Sequence, residues 1–251
     1  MDSQFTFAMK HIETINTEDL YIKNNTEFTK SFEKEKQAIT KDNTFGKIME
    51  TGSFSKIDAT TSIDIEYYPN DKTSIEIIGS NTSSDQISVE IIDGTLYIEE
   101  LVNNSYTVPL KIKCSSPFIE AIELTGSGNI YCSKLVHSKV QIILGGSGNI
   151  VVSDMLVDSS VIILEGSGDI LIKGGSCKYS EVNLEGSGDI VLSSMNAKVA
   201  NVVLEGSGDI SIRVIDELHS LLKGSGDITI YGRPVINEQV IKGSGDISFA
   251  W

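Results

Sequence analysis

The chain has 251 residues, of which 40% are hydrophobic, and this length suits one large all-β domain or two small ones. Its 35 acidic and 20 basic residues give a formal charge of -15, which argues against nucleic acid or an anionic membrane surface as a partner. No run of about 18 apolar residues occurs, so the sequence predicts no transmembrane segment.

Residues 1–45 differ in composition from the rest and are interpreted as an N-terminal arm or cap. Residues 30–39 (KSFEKEKQAI) favour a helix but lie in a region rich in Asn and Thr, so we expect a short helix or a partly ordered arm. Residues 1–10 contain no basic segment followed by an apolar run and no lipid-attachment cysteine. The sequence as it stands therefore indicates a cytoplasmic protein or export without an N-terminal signal, the alternative being a signal that was removed.

Residues 46–125 show alternating apolar residues without a repeated motif. Ile63, Ile65 and Tyr67 alternate with polar residues, a spacing typical of half-buried strands. Asp93 and Gly94 separate two such runs, which is a hairpin signal in isolation and is interpreted here as a corner of a larger stack. We predict irregular coils over residues 46–125, with polar loops at residues 81–85 and 103–105.

The string Gly-Ser-Gly-Asp/Asn-Ile occurs seven times in residues 126–251. The copies begin 20, 20, 20, 20, 18 and 19 residues apart and contain 14 of the 22 glycines. These glycines are predicted to be the structural turn motif, because a sharp corner needs either positive φ or close backbone approach. They are Gly126, Gly128, Gly146, Gly148, Gly166, Gly168, Gly186, Gly188, Gly206, Gly208, Gly224, Gly226, Gly243 and Gly245.

Apolar residues recur at fixed positions in each copy and predict which side chains face inward. The motif isoleucine, such as Ile130, is followed two residues later by another apolar residue, and a weaker middle column contains Leu135, Met155, Met195 and Ile215. A 20-residue unit is too short to fold alone, so the copies must stack. The pattern predicts an all-β fold, a right-handed parallel β-solenoid of about ten coils, roughly 50 Å long.

The sequence resembles the head GIN domain family, which is described as auto-transporter adhesins. The resemblance covers residues 51–251 and rests on the glycine motif series, on the opening Gly52-Ser53-Phe54 with Ile57, on residues 93–96 (DGTL) and on residues 231–234 (YGRP). It implies a right-handed β-helix of the single-stranded type, usually exported and held at the bacterial envelope. The chain departs from the family in its N-terminal arm and in the absence of a signal or lipoprotein start.

Acidic side chains recur beside the glycines and are the sharpest candidate for a binding site. They are Asp169, Asp189, Asp209, Asp227 and Asp246 in one column, flanked by Glu165, Glu185 and Glu205. Neighbours about 4.8 Å apart repel by about 3.5 kcal/mol at an effective dielectric near 20, so the column needs water, hydrogen bonds or cations such as Ca²⁺. Because Asn129 and Asn149 share the column, Asx-turns are favoured over a Ca²⁺ ladder, and no metal or cofactor is firmly predicted.

The residues show no catalytic cluster, and the chain is predicted not to be an enzyme. The acids repeat monotonously, and His11, His137 and His219 lie in no ligand spacing, which leaves a polysaccharide-active β-helix as a less favoured alternative. The leading hypothesis is a non-enzymatic, adhesin-like rod that presents a rigid surface to an unknown protein or glycan. The alternative is a structural scaffold that self-associates.

Overall fold

The structure is a computed structural model that describes residues 45–49, 52–79, 87–101 and 110–250, with the first of these ranges described by its backbone alone. All of these residues belong to a unit spanning residues 45–251. The predicted arm therefore lies outside the described residues except for its last residue, and the loops predicted at residues 81–85 and 103–105 lie outside them entirely.

The described residues form an all-β fold, as the sequence predicts, with 19 strands and no helix. None of their elements is therefore a helix long and apolar enough to cross a membrane. The seven strands before the regular repeats are β1 (Phe45–Met49), β2 (Lys56–Thr60), β3 (Asp64–Pro69), β4 (Ser74–Gly79), β5 (Ile87–Ile92), β6 (Thr95–Glu100) and β7 (Lys111–Ser116).

The remaining strands contain the repeats, and the burial along them alternates with period two. They are β8 (Ala121–Thr125), β9 (Ile130–Cys132), β10 (Leu135–Leu144), β11 (Ile150–Val152), β12 (Met155–Leu164), β13 (Ile170–Ile172), β14 (Gly175–Leu184), β15 (Ile190–Leu204), β16 (Ile210–Leu222), β17 (Ile228–Tyr231), β18 (Val235–Ile241) and β19 (Ile247–Ala250).

Parallel pairing stacks these strands in two columns. One column contains β9, β11, β13, the first residues of β15 and β16, and then β17 and β19. The other contains β8, β10, β12, β14, the later residues of β15 and β16, and β18. The predicted parallel β-solenoid is thus confirmed, with about six turns. Its right-handed winding stays a prediction from crossover handedness.

The predicted inward columns form the core, except that Ile247 and Phe249 of the last coil are only partly buried and Ile215 faces outward. Ile130, Met155 and Met195 are at most 1% exposed, whereas Ile215 is 46% exposed. The copy containing Ile215 is two residues shorter than its predecessor, and Val214 pairs with Ala197 and is fully buried. The expectation that Ile215 lies in the core is therefore wrong. Leu192 pairs with Ile212 but Asn196 pairs with Arg213, so the pairing skips three residues, and an odd skip exchanges inward and outward positions.

The strands before the repeats do not wind as successive coils. β2 lies between β6 and β8, and β3 lies between β7 and β9, all in parallel. Residues 56–69 are thus enclosed by residues 95–116 on one side and by residues 121–132 on the other. The solenoid has about six turns, fewer than the ten or so expected, because this part of the stack is built out of chain order.

Antiparallel strands close the stack next to β6 and β7. β4 pairs with both β7 and β1, and β5 pairs with β6, so the edges of β6 and β7 are covered. Asp93 and Gly94 join β5 to β6 with φ of 49° and 76°. Two successive positive φ values suit a two-residue hairpin turn, so the interpretation of these residues as a solenoid corner is wrong.

Candidate functional site

The seven glycine motifs align along one edge of the solenoid. The backbone N–H of Ser147 donates to the carbonyl oxygen of Gly126 at 2.7 Å, and the same bond joins Ser167 to Gly146 at 3.0 Å. Of the 14 motif glycines, all of which are described, only Gly126 has a φ in the left-handed region, 151°. Positive φ is therefore not the general reason for glycine at this corner.

Close approach between coils explains the motif glycines instead. A Cβ at Gly168 would overlap the carbonyl oxygen of Gly148, and a Cβ at Gly166 would overlap that of Gly146. At each of the 14 positions the nearest atom is a backbone oxygen of the neighbouring coil, closer than 3.0 Å. The backbones touch where any side chain would separate them, which supports the structural role proposed for these glycines.

The side chains at the fourth motif position form a hydrogen-bond ladder between coils. Oδ1 of Asp189 accepts from the backbone N–H of Asp209 at 2.8 Å. The acceptors along the stack are Asp64, Asn129, Asn149, Asp169, Asp189, Asp209 and Asp227. We expected each side chain to bond its own downstream amides, but it accepts instead from the equivalent residue one coil later. Stacking at the strand spacing brings that N–H within reach.

Asparagine fits this ladder as well as aspartate does. Nδ2 of Asn149 donates to Oδ1 of Asn129 at 2.9 Å, and Nδ2 of Asn129 donates to Oδ1 of Asp64 at the same distance. Asp64 was not identified from the sequence because its segment lacks the glycine motif. The shared requirement in this column is one acceptor oxygen, not a negative charge.

Partial desolvation raises the pKa of Asp189, and the negative charges of Asp169 and Asp209 add to the effect, which the N–H of Asp209 opposes. Among the flanking acids, Glu165 and Glu185 are exposed, and Glu205 forms an ion pair with Lys223. No three His, Cys, Asp or Glu side chains within the described ranges are arranged to hold a metal ion. The Ca²⁺ ladder, which the sequence left as the less favoured alternative, stays an alternative.

A second feature, a shallow groove, lies about half a coil from the glycine corners along the chain. It has a volume of about 790 Å³ and crosses five successive coils. Its lining comes from the first residues of the long strands, namely residues 136–138, 156–158 and 176–178, together with Asn196, Lys198 and Ile215. Because neighbouring coils are about 4.8 Å apart, the groove runs along the stacking direction for roughly 20 Å.

The floor of the groove is tightly packed. Cys177 is 2% exposed, and its thiol donates to the carbonyl oxygen of Tyr179 at 2.8 Å. Beneath it, the buried hydroxyls of Ser160 and Ser180 lie 3.0 Å apart and share a hydrogen bond. Burial raises the pKa of Cys177, so the thiol remains protonated at neutral pH. The groove therefore offers no thiolate to a ligand. Its packed floor makes it a preformed surface.

Apolar and aromatic side chains form the walls of the groove. Val136 and Leu156 are 51% and 39% exposed, and the adjacent Tyr179 is 60% exposed. At one end, the rings of His137 and Phe118 stack at 4.7 Å with an interplanar angle of 11°. Exposed apolar residues grouped in this way mark an interaction surface more often than isolated ones do.

Positive charge is concentrated around the groove. We define the groove segments as residues 133–139, 153–159, 173–179, 193–199 and 213–217. They contain six basic and four acidic residues, whereas the rest of residues 126–222 has seven acidic residues and no basic one. The six are Lys134, Lys139, Lys173, Lys178, Lys198 and Arg213. An acidic protein thus has a locally basic face here.

Two of these lysines are neutralised by neighbouring coils. Lys134 pairs with Asp154 at 3.2 Å, and Lys178 pairs with Asp158 at 2.7 Å. Lys139 and Lys198 are exposed, and neither forms an ion pair within the part of the chain that the structure describes. Lys198 lines the groove and Lys139 follows the lining residue Ser138, so both ammonium groups are available to a ligand.

The sequence analysis did not identify this groove. Superimposing the repeats on their glycines would have shown that every basic residue of residues 126–222 falls in the same part of the coil. The acidic column is more regular than this pattern of basic residues and is therefore the stronger signal in the sequence. His137, which was assigned to no site from its spacing, lies in the groove lining. His219 is not part of that lining.

Comparisons with known proteins agree with the fold. Residues 53–234 match the family described as "Putative auto-transporter adhesin, head GIN domain". No curated protein matches the chain. A structure from Bacteroides fragilis, described as a "putative adhesin", has 24% identity and a TM-score of 0.79, covering 84% of this chain and 98% of its own.

Two further solved structures are similar. One from Parabacteroides merdae, also described as a "putative adhesin", has 20% identity and a TM-score of 0.68, covering 83% of this chain and 97% of its own. One from Parabacteroides distasonis, described as a "putative lipid binding protein", has 25% identity and a TM-score of 0.64, with coverage of 83% and 97%. These similarities extend the solenoid to proteins of comparable length.

Proposed function

Because the chain belongs to the head GIN domain family, we propose that it is a non-enzymatic, adhesin-like binding module whose groove docks a partner at the cell envelope or outside the cell. The family description and the adhesin-like structural neighbours support binding as the function. The observation that carries the proposal is the groove, since it combines exposed apolar walls, available charge and a rigid floor.

The rigidity of the groove favours binding over chemistry. Its lining residues lie on strands whose backbone groups pair with the coils on both sides, so the surface needs no ordering when a ligand arrives. Its one thiol is buried and protonated, and its one histidine is stacked on Phe118. A preformed concave surface of this kind suits recognition by shape and charge.

Blocking the groove tests the proposal. Ser176 is exposed midway along it, between Leu156 and Asn196 on the neighbouring coils, so Ser176→Trp should fill the groove without disturbing the core. Asn201→Trp is the matched control, because Asn201 is equally exposed on β15 but lies outside the groove. The labelled full-length chain is applied to an array of glycans and to a panel of extracellular proteins.

We expect Ser176→Trp to weaken the strongest interaction by at least about tenfold and Asn201→Trp to leave it unchanged. Circular dichroism of both variants confirms that the solenoid is intact. A wild-type chain that binds no member of either panel, or equal binding by the blocked variant, contradicts the proposal.

Self-association is a second candidate, and the last coil supports it. Ile236 and Ile241 pair with the buried Leu218 and Leu222 of the preceding coil, yet they are 45% and 47% exposed. At the opposite end the antiparallel strands β4 and β5 cover the stack. Two copies that dock through their β18 ends would use the same surface on both chains, which predicts a closed dimer.

Sedimentation velocity of the full chain over a hundredfold concentration range tests this candidate. A dimer that Ile236→Lys dissociates supports it, with Val136→Lys, an exposed position in the groove, as the control. A strict monomer at every concentration rules it out.

A further inference from the structure

We propose that the occupant of the groove is an acidic glycan, a chain of uronate sugars that lies along the stacking direction with its carboxylates near Lys139 and Lys198. This inference rests on the proposed function and names the ligand class of the same site. It is carried by three observations, on charge, on backbone pairing and on the chemistry of the walls.

The charge around the groove selects an anionic ligand. Lys139 and Lys198 are exposed and carry positive charge that no described side chain neutralises. Elsewhere in residues 126–222 the net charge is negative, so an anion is repelled from the glycine corner and attracted to the groove. The separation of positive charge at the groove from negative charge at the glycine corner determines where an acidic chain binds and favours an anion as the ligand.

The spacing of charge distinguishes a uronate from a nucleic acid. Basic residues along the groove occur about once per coil, and acidic partners already neutralise Lys134 and Lys178. Two available lysines can contact two carboxylates of a uronate chain while its other carboxylates stay hydrated, whereas a nucleic-acid backbone requires many cations to offset its dense phosphates. The chain has only two arginines, which are the residues best suited to paired contacts with phosphate.

Backbone pairing excludes a peptide that binds as an added strand. The groove lies on the face of the sheet, where β12 and β14 each pair with a strand on both sides, so no backbone edge is available. The ligand must be recognised by side chains. Ser138, Ser176 and Asn196 place hydroxyl and amide groups in the groove lining, and these groups match the many hydroxyls of a sugar chain.

The apolar side chains along the groove match the apolar face of a sugar ring. A pyranose ring is amphipathic, with an apolar face that packs against aromatic and aliphatic side chains. Leu156 is an exposed residue of the groove lining, and Tyr179, which follows the lining residue Lys178 in sequence, presents an exposed ring next to it. Coils repeat about every 4.8 Å, so the side chains that line the groove lie at regular steps along a ligand that itself repeats.

The test compares three ligands by calorimetry with the full-length chain: polygalacturonate, its fully methyl-esterified form and neutral dextran. Esterification removes the carboxylate charge and keeps the sugar backbone, so it isolates the electrostatic contribution. The variants are Lys198→Gln and the double change Lys139→Gln/Lys198→Gln. Lys223→Gln is the matched control, because Lys223 lies at the glycine corner and pairs with Glu205.

We expect polygalacturonate to bind at least about tenfold more tightly than its ester, and the double variant to lose about tenfold, which corresponds to about 1.4 kcal/mol of binding free energy. Raising the salt concentration should weaken binding in proportion to the number of charges neutralised. Lys223→Gln should bind as the wild type does.

The possible failures are distinguishable. Equal binding of polygalacturonate and its ester, or of dextran, overturns the acidic-glycan inference and leaves the proposed function intact. The same conclusion follows if a protein ligand binds the wild type but not Ser176→Trp and no glycan binds. If Ser176→Trp changes no interaction at all, both the inference and the proposed function fail.

Discussion

The backbone N–H of Asp209 donates a 2.8 Å hydrogen bond to Oδ1 of Asp189, the aspartate one coil before it. This bond holds two negatively charged residues next to each other on the same edge of the solenoid. The attraction of an amide dipole for a carboxylate therefore opposes the repulsion between carboxylates. The same contact joins four consecutive pairs of aspartates, from Asp169 with Asp189 to Asp227 with Asp246.

Asp189→Asn should stabilise the protein slightly at neutral pH, because asparagine keeps the acceptor oxygen and removes the like charge. The folded pKa of Asp189 is raised, so the folded state binds more protons than the unfolded state between the two pKa values, and stability falls as pH rises through that window. We expect a Tm increase of about 1 °C at pH 7, since the side chain is exposed, and none below about pH 3. Thermal melts at several pH values measure this.

Asp189→Ala is the companion change for the ladder. It removes the acceptor and leaves the N–H of Asp209 without its partner, which should cost about 1 kcal/mol. Alanine and asparagine variants of equal stability would show that the hydrogen bond contributes nothing.

Gly168→Ala should destabilise the solenoid by more than about 3 kcal/mol, because the added Cβ overlaps the carbonyl oxygen of Gly148 and forces two coils apart. Gly145→Ala is the control. A Cβ at Gly145 would come no closer than 3.6 Å to another atom, and Glu165 and Glu185 hold the equivalent place in later coils. We expect its effect to stay within about 0.5 kcal/mol. Urea unfolding measures both, and similar losses would refute the close-approach explanation.

Val214→Ser and Ile215→Ser test the shift of register in the shortened coil. Val214 is fully buried and Ile215 is 46% exposed, so we expect a loss of about 2–4 kcal/mol for the first and less than about 1 kcal/mol for the second. Chemical denaturation of the two variants decides the assignment. The reverse order of stability would restore Ile215 to the core.

The three cysteines should resist thiol reagents in the folded protein. Cys114, Cys132 and Cys177 are at most 2% exposed, and burial raises the pKa of Cys114 to about 12 and those of the other two as well. At pH 8 the native chain should react with a chromogenic disulfide reagent only as fast as it opens, whereas unfolded chain releases three equivalents. If one thiol of the wild type is labelled rapidly and Cys177→Ala removes this rapid labelling, then the floor of the groove is open to the reagent.

The sequence predicts the regular part of this fold well, because each copy repeats the same local rule. Ile150 and Ile170 hold the same place in successive copies. They pair with each other on neighbouring strands, so both face the core. The order of strands before Ala121 could not be predicted in this way. Alternation places Ile57 and Leu96 on the inward face of their strands but does not specify that β2 pairs with β6 and β8.

The candidate site was predicted less well than the fold. Regular spacing indicated the acidic column, and the structure explains that column largely by hydrogen bonds such as that of Asp227 with Asp246. The groove depends on which outward residues of different coils become neighbours, for example Leu156 and Ser176. Their side chains differ from copy to copy, so no motif marks them.

The enclosed position of residues 56–69 has a consequence for biosynthesis. This segment leaves the ribosome early, yet both of its edges stay unpaired until residues 95–132 have been made. We therefore expect the first stable nucleus to form after about half of the chain has emerged, and the later coils to add to it. Growth of this kind proceeds towards the C-terminus, so a chain stalled before residue 132 would expose hydrophobic strands and be a substrate for chaperones.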